Sequence, residues 1–226
     1  MAPESTVALG WIDDILRGRA LASSQRSPLP QVCAEVASVV LFGSVYGVVM
    51  GAYGEARLLQ MAYSGMKIPL LILSSFLLTL PPVCTLHWFL GLNHDLGMTI
   101  RTLMRMQVGV AVFFAAMAPV VAFFYISGIS YLQAVSVNVL VFGIGSFYGF
   151  MLLRELQRDL VARDARHRWC IRAWVGLYAL VVIQMTWMMR PFVGDPTLVT
   201  EFFRGGQWAN AYLEVGELMM RMLSGR

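Results

Sequence analysis

The sequence predicts an all-α protein, a polytopic membrane helical bundle with five transmembrane helices plus interfacial amphipathic helices at both ends. Three observations predict it. Of 226 residues, 58% are hydrophobic and only 13% charged, where a soluble domain carries about a quarter charged, and mean hydropathy is +0.66. Five apolar stretches reach the roughly 20 residues that a helix needs to cross a bilayer core of about 30 Å. None of them alternates apolar with polar residues, as a membrane β-strand would. The abundance of aromatic and aliphatic residues also excludes a disordered chain.

Residues 1–30 form a cytoplasmic amphipathic helix and linker. Within 5–20, Leu9, Ile12, Ile15 and Leu16 share one stripe, Asp13, Asp14 and Arg17 lie opposite, and Ser5 or Thr6 offers an N-cap. This helix is expected in the membrane interface or on a partner; a frayed tail is the alternative. Ser23-Ser24-Gln25-Arg26-Ser27-Pro28-Leu29-Pro30 is a breaker run. Glu4, Asp13 and Asp14 argue against a cleavable signal, so the first span is expected to act as an uncleaved anchor.

Residues 31–190 hold the five spans, at about 32–52, 68–90, 108–126, 131–153 and 171–189. Gly43, Gly47 and Gly51 recur every four residues in the first, and Gly145 and Gly149 do so in the fourth. Small residues at that spacing let helix backbones approach closely in lipid, which predicts a direct contact between spans one and four. Pro81, Pro82 and Pro119 should kink spans two and three. Asn93-His94-Asp95 has three metal-capable side chains in a row, though a turn explains it equally. Beyond span four, Leu152, Leu156 and Leu160 continue a helical stripe with Asp159–Arg163 and Asp164–Arg168 as i,i+4 pairs.

Residues 191–226 form an exterior interfacial tail. Arg190 to Pro196 cannot continue a helix; a short piece over 197–204 and a helix over 207–223 follow. Trp208, Tyr212 and Met219 belong to the apolar face of that helix, as expected of one lying on a surface.

Orientation follows from the cations. The amino-terminal segment and the 91–107 and 154–172 loops hold eleven Lys or Arg, the opposite side six. The positive-inside rule then places the amino terminus in the cytoplasm and the carboxyl terminus outside. Net charge is +4, and 154–172 alone carries six Arg against three acids. Arg163, Arg166, Arg168 and Arg172 are placed to meet anionic lipid headgroups; a basic cluster flanked by membrane spans does not suggest nucleic acid. Cys33, Cys84 and Cys170 are odd in number and lack CxxC spacing, as expected of reduced, structural thiols.

Two ionisable groups, Glu35 and His87, are identified within spans, where such groups are costly. Both fall toward the cytoplasmic side, so they could pair, and such a pair could move protons or hold an ion. In the structural alternative Glu35 snorkels and His87 bonds a backbone carbonyl. A haem or chlorophyll-type pigment on His87 is not excluded, but no second axial His shares a span. No metal site, catalytic triad or phosphate loop appears, so no cofactor and no enzymatic activity are expected.

Five spans with an inside amino terminus, the run Lys67-Ile68-Pro69-Leu70-Leu71-Ile72-Leu73 and the following Leu80-Pro81-Pro82 resemble the Yip1-type five-span membrane proteins and similar uncharacterised bacterial inner-membrane proteins. The resemblance covers about residues 32–190 and implies a non-enzymatic, protein-organising role. The long tail beyond Arg190 departs from the Yip1 pattern. The expectation is a bacterial inner-membrane accessory or scaffold subunit, partnered with other integral membrane proteins of a complex and with anionic lipids. A small transporter or channel is the second reading and a pigment-bearing subunit the third.

Overall fold

The computed structural model describes residues 12–17, 28–54, 57–195 and 198–203. They form helices α1 (Pro28–Gly51), α2 (Leu58–Phe89), α3 (Leu96–Ile126), α4 (Tyr131–Leu156), α5 (Arg158–Arg163) and α6 (His167–Met189), with a 3₁₀ turn at Asn93–Asp95. All but α5 are long and apolar enough to cross a membrane. The expected five-span helical bundle is therefore present. Short connections force neighbouring helices to run antiparallel, so His87, Thr99, Gln157 and His167 gather at one end and Tyr53, Ile129 and Pro191 at the other.

Four helices begin earlier than expected, α1 and α6 by four residues and two others by ten or more. α2 starts at Leu58 rather than 68, and α3 at Leu96 rather than 108. At about 1.5 Å per residue their 32 and 31 residues make rods of roughly 45–50 Å, longer than a hydrocarbon core. The apolar windows missed these first turns because Lys67, Arg101 and Arg105 interrupt them. Polar residues do not stop a helix; they only lower hydropathy.

Local chemistry sets the ends. Gly91, at φ +70°, closes α2, with Leu92 N–H donating to the His87 carbonyl at 2.8 Å, a Schellman arrangement in which the left-handed residue costs a glycine least. Ser130 and Gln133 cap α4 reciprocally, satisfying two backbone donors that the helix start leaves over. α6 stops at Met189, where Pro191 cannot continue it, as expected.

α3 is the central helix. Every residue from 102 to 111 is buried, which requires neighbours on all sides. α1 packs against both α2 and α3, α4 lies on α3, and α6 lies on α2. The glycine stripes serve these pairs rather than meeting each other; spans one and four do touch, but through Tyr46, which bonds Asn138 and packs edge-on against Phe142. A Cβ on Gly47 would overlap the Ser64 carbonyl, and one on Gly51 would come 2.7 Å from the Gln60 carbonyl. Gly43 faces Pro69 of α2, whereas Gly145 and Gly149 receive Phe114 and Val110 of α3. The α1 stripe thus lies on the backbone of α2, and the α4 stripe receives side chains of α3. Outward positions such as Leu41, Leu77, Phe123, Leu140 and Phe147 are at least 60% exposed, as a lipid-facing surface requires.

Near the amino terminus, residues 12–16 are helical and Ile15 is fully buried in the core, while Asp13 and Arg17 pair at the surface. The expected amphipathic stripe thus packs, through Ile15, on the bundle itself. The expected caps Ser5 and Thr6, residues 23–27 of the breaker run, and the tail residues Trp208, Tyr212 and Met219 lie outside the described residues. The last three of that run, Pro28-Leu29-Pro30, instead begin α1, because proline is tolerated in a helix's first turn, where its missing N–H has no partner to lose. The stretch 198–203 is irregular and not helical. After α4 the chain turns at Gln157 and continues as α5. The described ion pairs here are Glu155–Arg158 and Asp164–Arg166 rather than the expected i,i+4 pairs; Asp164 turns to Arg166 because the helix ends at Arg163.

Candidate functional site

α2 supplies most of the buried polar chemistry. Gln60, Ser64, Lys67, Ser75, Thr79 and His87 recur at multiples of about one turn and are all buried, forming a polar stripe along the helix that the apolar windows concealed. Serine and threonine scarcely lower hydropathy, so this stripe leaves little trace in an averaged profile. A period of three to four among the polar residues themselves was the signal available.

At the lower end of the stripe α2 grips the chain that follows α6. Lys67 Nζ donates to the Pro191 carbonyl at 2.6 Å and lies 5.9 and 5.0 Å from the ring centres of Phe192 and Phe202. Ser64 Oγ and Gln60 Nε2 both donate to the Phe192 carbonyl, at 2.5 and 3.2 Å. Arg57 donates to the carbonyls of Asp195 and Leu198. Pro191, Phe192, Val193 and Gly194 are buried. Non-helical backbone at membrane depth must find partners inside the protein, and α2 provides them.

In the middle, Trp174 and Tyr178 of α6 stack at 4.7 Å. Trp174 Nε1 donates to Thr79 Oγ1 at 3.2 Å and Tyr178 OH to Gln107 Oε1 at 2.8 Å, so two aromatic residues fasten α6 to both α2 and α3. Ser75 Oγ and Gln107 Nε2 are buried there without a hydrogen-bond partner. A second tie holds α1, α3 and α4. Asn138 accepts from Tyr46 OH at 2.8 Å and donates to Tyr125 OH at 2.6 Å and to the Ala134 carbonyl.

At the upper end the structure separates Glu35 from His87. Glu35, 1% exposed, faces Arg105 at 3.4 Å, with Gln31 Nε2 at 3.5 Å. It neither snorkels nor pairs with His87, because the buried guanidinium of α3 is its nearest charge. The expectation of only two ionisable groups within spans fails for the same reason that span boundaries moved: Lys67, Arg101, Arg105, His167 and Arg172 all lie within the membrane-length helices. His87 Nδ1 donates to the Val83 carbonyl at 3.0 Å, and Nε2 lies 3.1 Å from Thr99 Oγ1, so the backbone bond expected for it is present. His167 Nε2 lies 3.0 Å from Asp95 Oδ2. Gln157 donates to Thr102. Between His87, Thr99, Gln157, Cys170 and Trp174 lies a cavity of about 10 Å³, room for about one water.

Asn93-His94-Asp95 forms a turn, and among the described residues no cluster of three His, Cys, Asp or Glu could hold a metal. The four basic candidates divide. Arg166 is bound by Asp164 at 2.7 Å and by the Leu90 carbonyl, which holds the Asp164 carboxyl below its ordinary range. Arg163, Arg168 and Arg172 are exposed, the last over the exposed Trp169 ring. Cys33 is exposed, Cys84 half-buried and Cys170 buried, all as free thiols.

Five membrane-length helices, an apolar exterior and polar groups confined between helices define a polytopic α-helical membrane protein. No protein-family model matches the chain, and neither a curated protein nor a solved structure matches it.

Proposed function

We propose that the chain is a non-enzymatic accessory or scaffold subunit that packs against a larger complex in a bacterial inner membrane. One observation carries this reading: many of the buried polar side chains tie separate parts of the bundle together. Lys67, Ser64 and Gln60 hold the 191–192 backbone, Glu35 faces Arg105, and Asn138 joins three helices. Where polar groups converge near His87, the space admits about one water. Such a bundle is built to keep its shape. α6 has only 11% of its apolar window buried, which leaves a face for another integral membrane protein. The resemblance to Yip1-type proteins supports the same non-enzymatic role.

The proposed orientation keeps the amino terminus in the cytoplasm; the excess of Lys and Arg on that side supports it, and Arg163, Arg168 and Arg172 are exposed there, the last over the Trp169 ring. Exposed arginines at the headgroup level attract acidic lipids, and anionic lipids are their proposed partners. Purification at native abundance in mild detergent tests the main proposal. Co-migration with a larger membrane assembly is expected; a lone monodisperse monomer would sink it.

The polar stripe on α2 favours a small transporter or channel as the second reading, since ionisable groups inside membranes often mark ion paths. Solute or proton flux through reconstituted vesicles, abolished by Lys67→Met, would replace the first reading with this one. A pigment on His87 requires that ring to give up Thr99; an absorption band lost in His87→Leu is the test.

A further inference from the structure

Two buried imidazoles meet where α2, the Asn93–Asp95 turn and α6 come together. The His87 and His167 ring centres are 5.8 Å apart, and each residue is 1% exposed. Their partners fix different protonation patterns. The Val83 carbonyl at 3.0 Å can only accept, so His87 carries its proton on Nδ1, and its Nε2 accepts from the Thr99 hydroxyl. The Asp95 carboxylate at 3.0 Å can likewise only accept, so His167 carries its proton on Nε2, and Nδ1 is where a further proton binds.

The two rings differ in what an added proton would meet. On His167 it makes an imidazolium directly opposite the Asp95 carboxylate, with Asp164 also near enough to interact. On His87 it would force the Thr99 hydroxyl to reverse, with Asp95 acting only from beyond hydrogen-bond distance. Arg166 is occupied by Asp164, and from the other elements packed here come the thiol of Cys170 and the neutral Gln157. Once His167 is charged, a second imidazolium this close inside the bundle is opposed by like-charge repulsion and burial together.

We propose that His87 and His167 form a single-proton site, in which one proton binds at His167 against Asp95 while His87 stays neutral, and that proton uptake tightens the joint between the 93–95 turn and α6. The ligand is the proton itself, and the two rings titrate as a pair. Binding converts a hydrogen bond from a neutral ring to a carboxylate into an ion pair, and the part of the molecule that responds is the start of α6.

Imidazole ¹⁵N NMR of the full chain in lipid nanodiscs tests this across about pH 4–9, a window centred near the ordinary histidine value. The exposed His94 serves as the internal reference. His167 is expected to take up a proton while His87 keeps its Nδ1–H form throughout. Asp95→Asn should lower the His167 midpoint by about one pH unit, a tenfold change in proton affinity. Protonation of both buried rings, or a His167 midpoint indifferent to Asp95→Asn, would overturn the proposal. Should that variant fail to fold, His87→Gln decides. One buried titration must survive in it, and its loss would assign the proton to His87 instead. Amide exchange over residues 167–171, corrected for intrinsic rate, should slow severalfold at the low-pH side in the wild type and not in His167→Gln. Equal slowing in both would remove the mechanical part.

Discussion

Lys67 and Pro191, 124 positions apart in sequence, are joined by a 2.6 Å hydrogen bond from ammonium to carbonyl, with Lys67 fully buried. The bond ties the first turns of α2 to the chain leaving α6. Lys67→Met keeps the length of the side chain but orphans the carbonyl. It should destabilise by about 1.5–3 kcal/mol, the range for a hydrogen bond to a charged group. Thermal unfolding in detergent should show this, together with faster proteolysis between residues 190 and 203. Wild-type melting and proteolysis in Lys67→Met would show that the tie holds nothing.

Gly47 and Gly143 make a matched pair for testing close helix approach. A Cβ at Gly47 would overlap the Ser64 carbonyl and come 2.8 Å from Gly65 Cα, while nothing lies within 4 Å of one at Gly143. Gly47→Ala should cost about 1–3 kcal/mol, because the obstacle is backbone and α1 must move off α2. Gly143→Ala should be neutral or gain up to about 1 kcal/mol from helix propensity. Similar melting temperatures for the two variants would contradict the α1–α2 contact.

Asn138 satisfies Tyr46 and Tyr125 together. Inter-helix hydrogen bonds in membranes average below about 1 kcal/mol, but an orphaned buried hydroxyl adds to the loss, so Asn138→Leu should cost about 1–3 kcal/mol. Adding Tyr46→Phe removes the orphan and should recover part of that. A double variant as unstable as the sum of the two singles would argue that the bond is not formed.

The buried Glu35–Arg105 pair, 2% and 3% exposed at the side chains, should be far more sensitive to loss of one member than to loss of both. Glu35→Ala leaves the guanidinium without its facing carboxylate and is expected to cost about 3–5 kcal/mol. The Glu35→Ala, Arg105→Met double variant should be closer to wild type than the sum of the singles. Additive losses in a double-mutant cycle would show the two side chains to be uncoupled.

Outside the spans, Arg166 bonds Asp164 through side chain and backbone and lowers its carboxyl titration. A depressed folded-state value stabilises above the ordinary Asp range, and the contribution is lost as pH falls through the folded value. Arg166→Ala should therefore raise the Asp164 midpoint, read by carboxyl NMR, and leave stability at neutral pH little changed because the group is exposed. An unmoved midpoint would remove Arg166 as the cause.

Legibility in the sequence followed how each feature is encoded. The five spans could be read because hydropathy accumulates over twenty residues, and the α6 stop because Pro191 has no N–H to give. His87's bond to a backbone carbonyl was accessible as one alternative, since it depends on the helix alone. The Glu35–His87 pair failed because a partner is chosen by the nearest charge in space, and Arg105 had been assigned to a loop. The glycine stripes were visible, but which surface enters each was not: both are small faces on helices, and only the packed bundle decides that the first lies on α2 and the second on α3.

By itself, then, the sequence determined what accumulates along one chain segment: membrane-length helices, their number, the stop before Pro191, and the small faces that let them approach. Tertiary structure alone decided which buried polar groups meet. Lys67 with Pro191, Asn138 with two tyrosines, and His167 with Asp95 are pairings across 13 to 124 positions. The physical reason is that a buried polar group must find a partner wherever packing brings one near, and packing depends on the whole bundle rather than on the spacing of residues along any one helix.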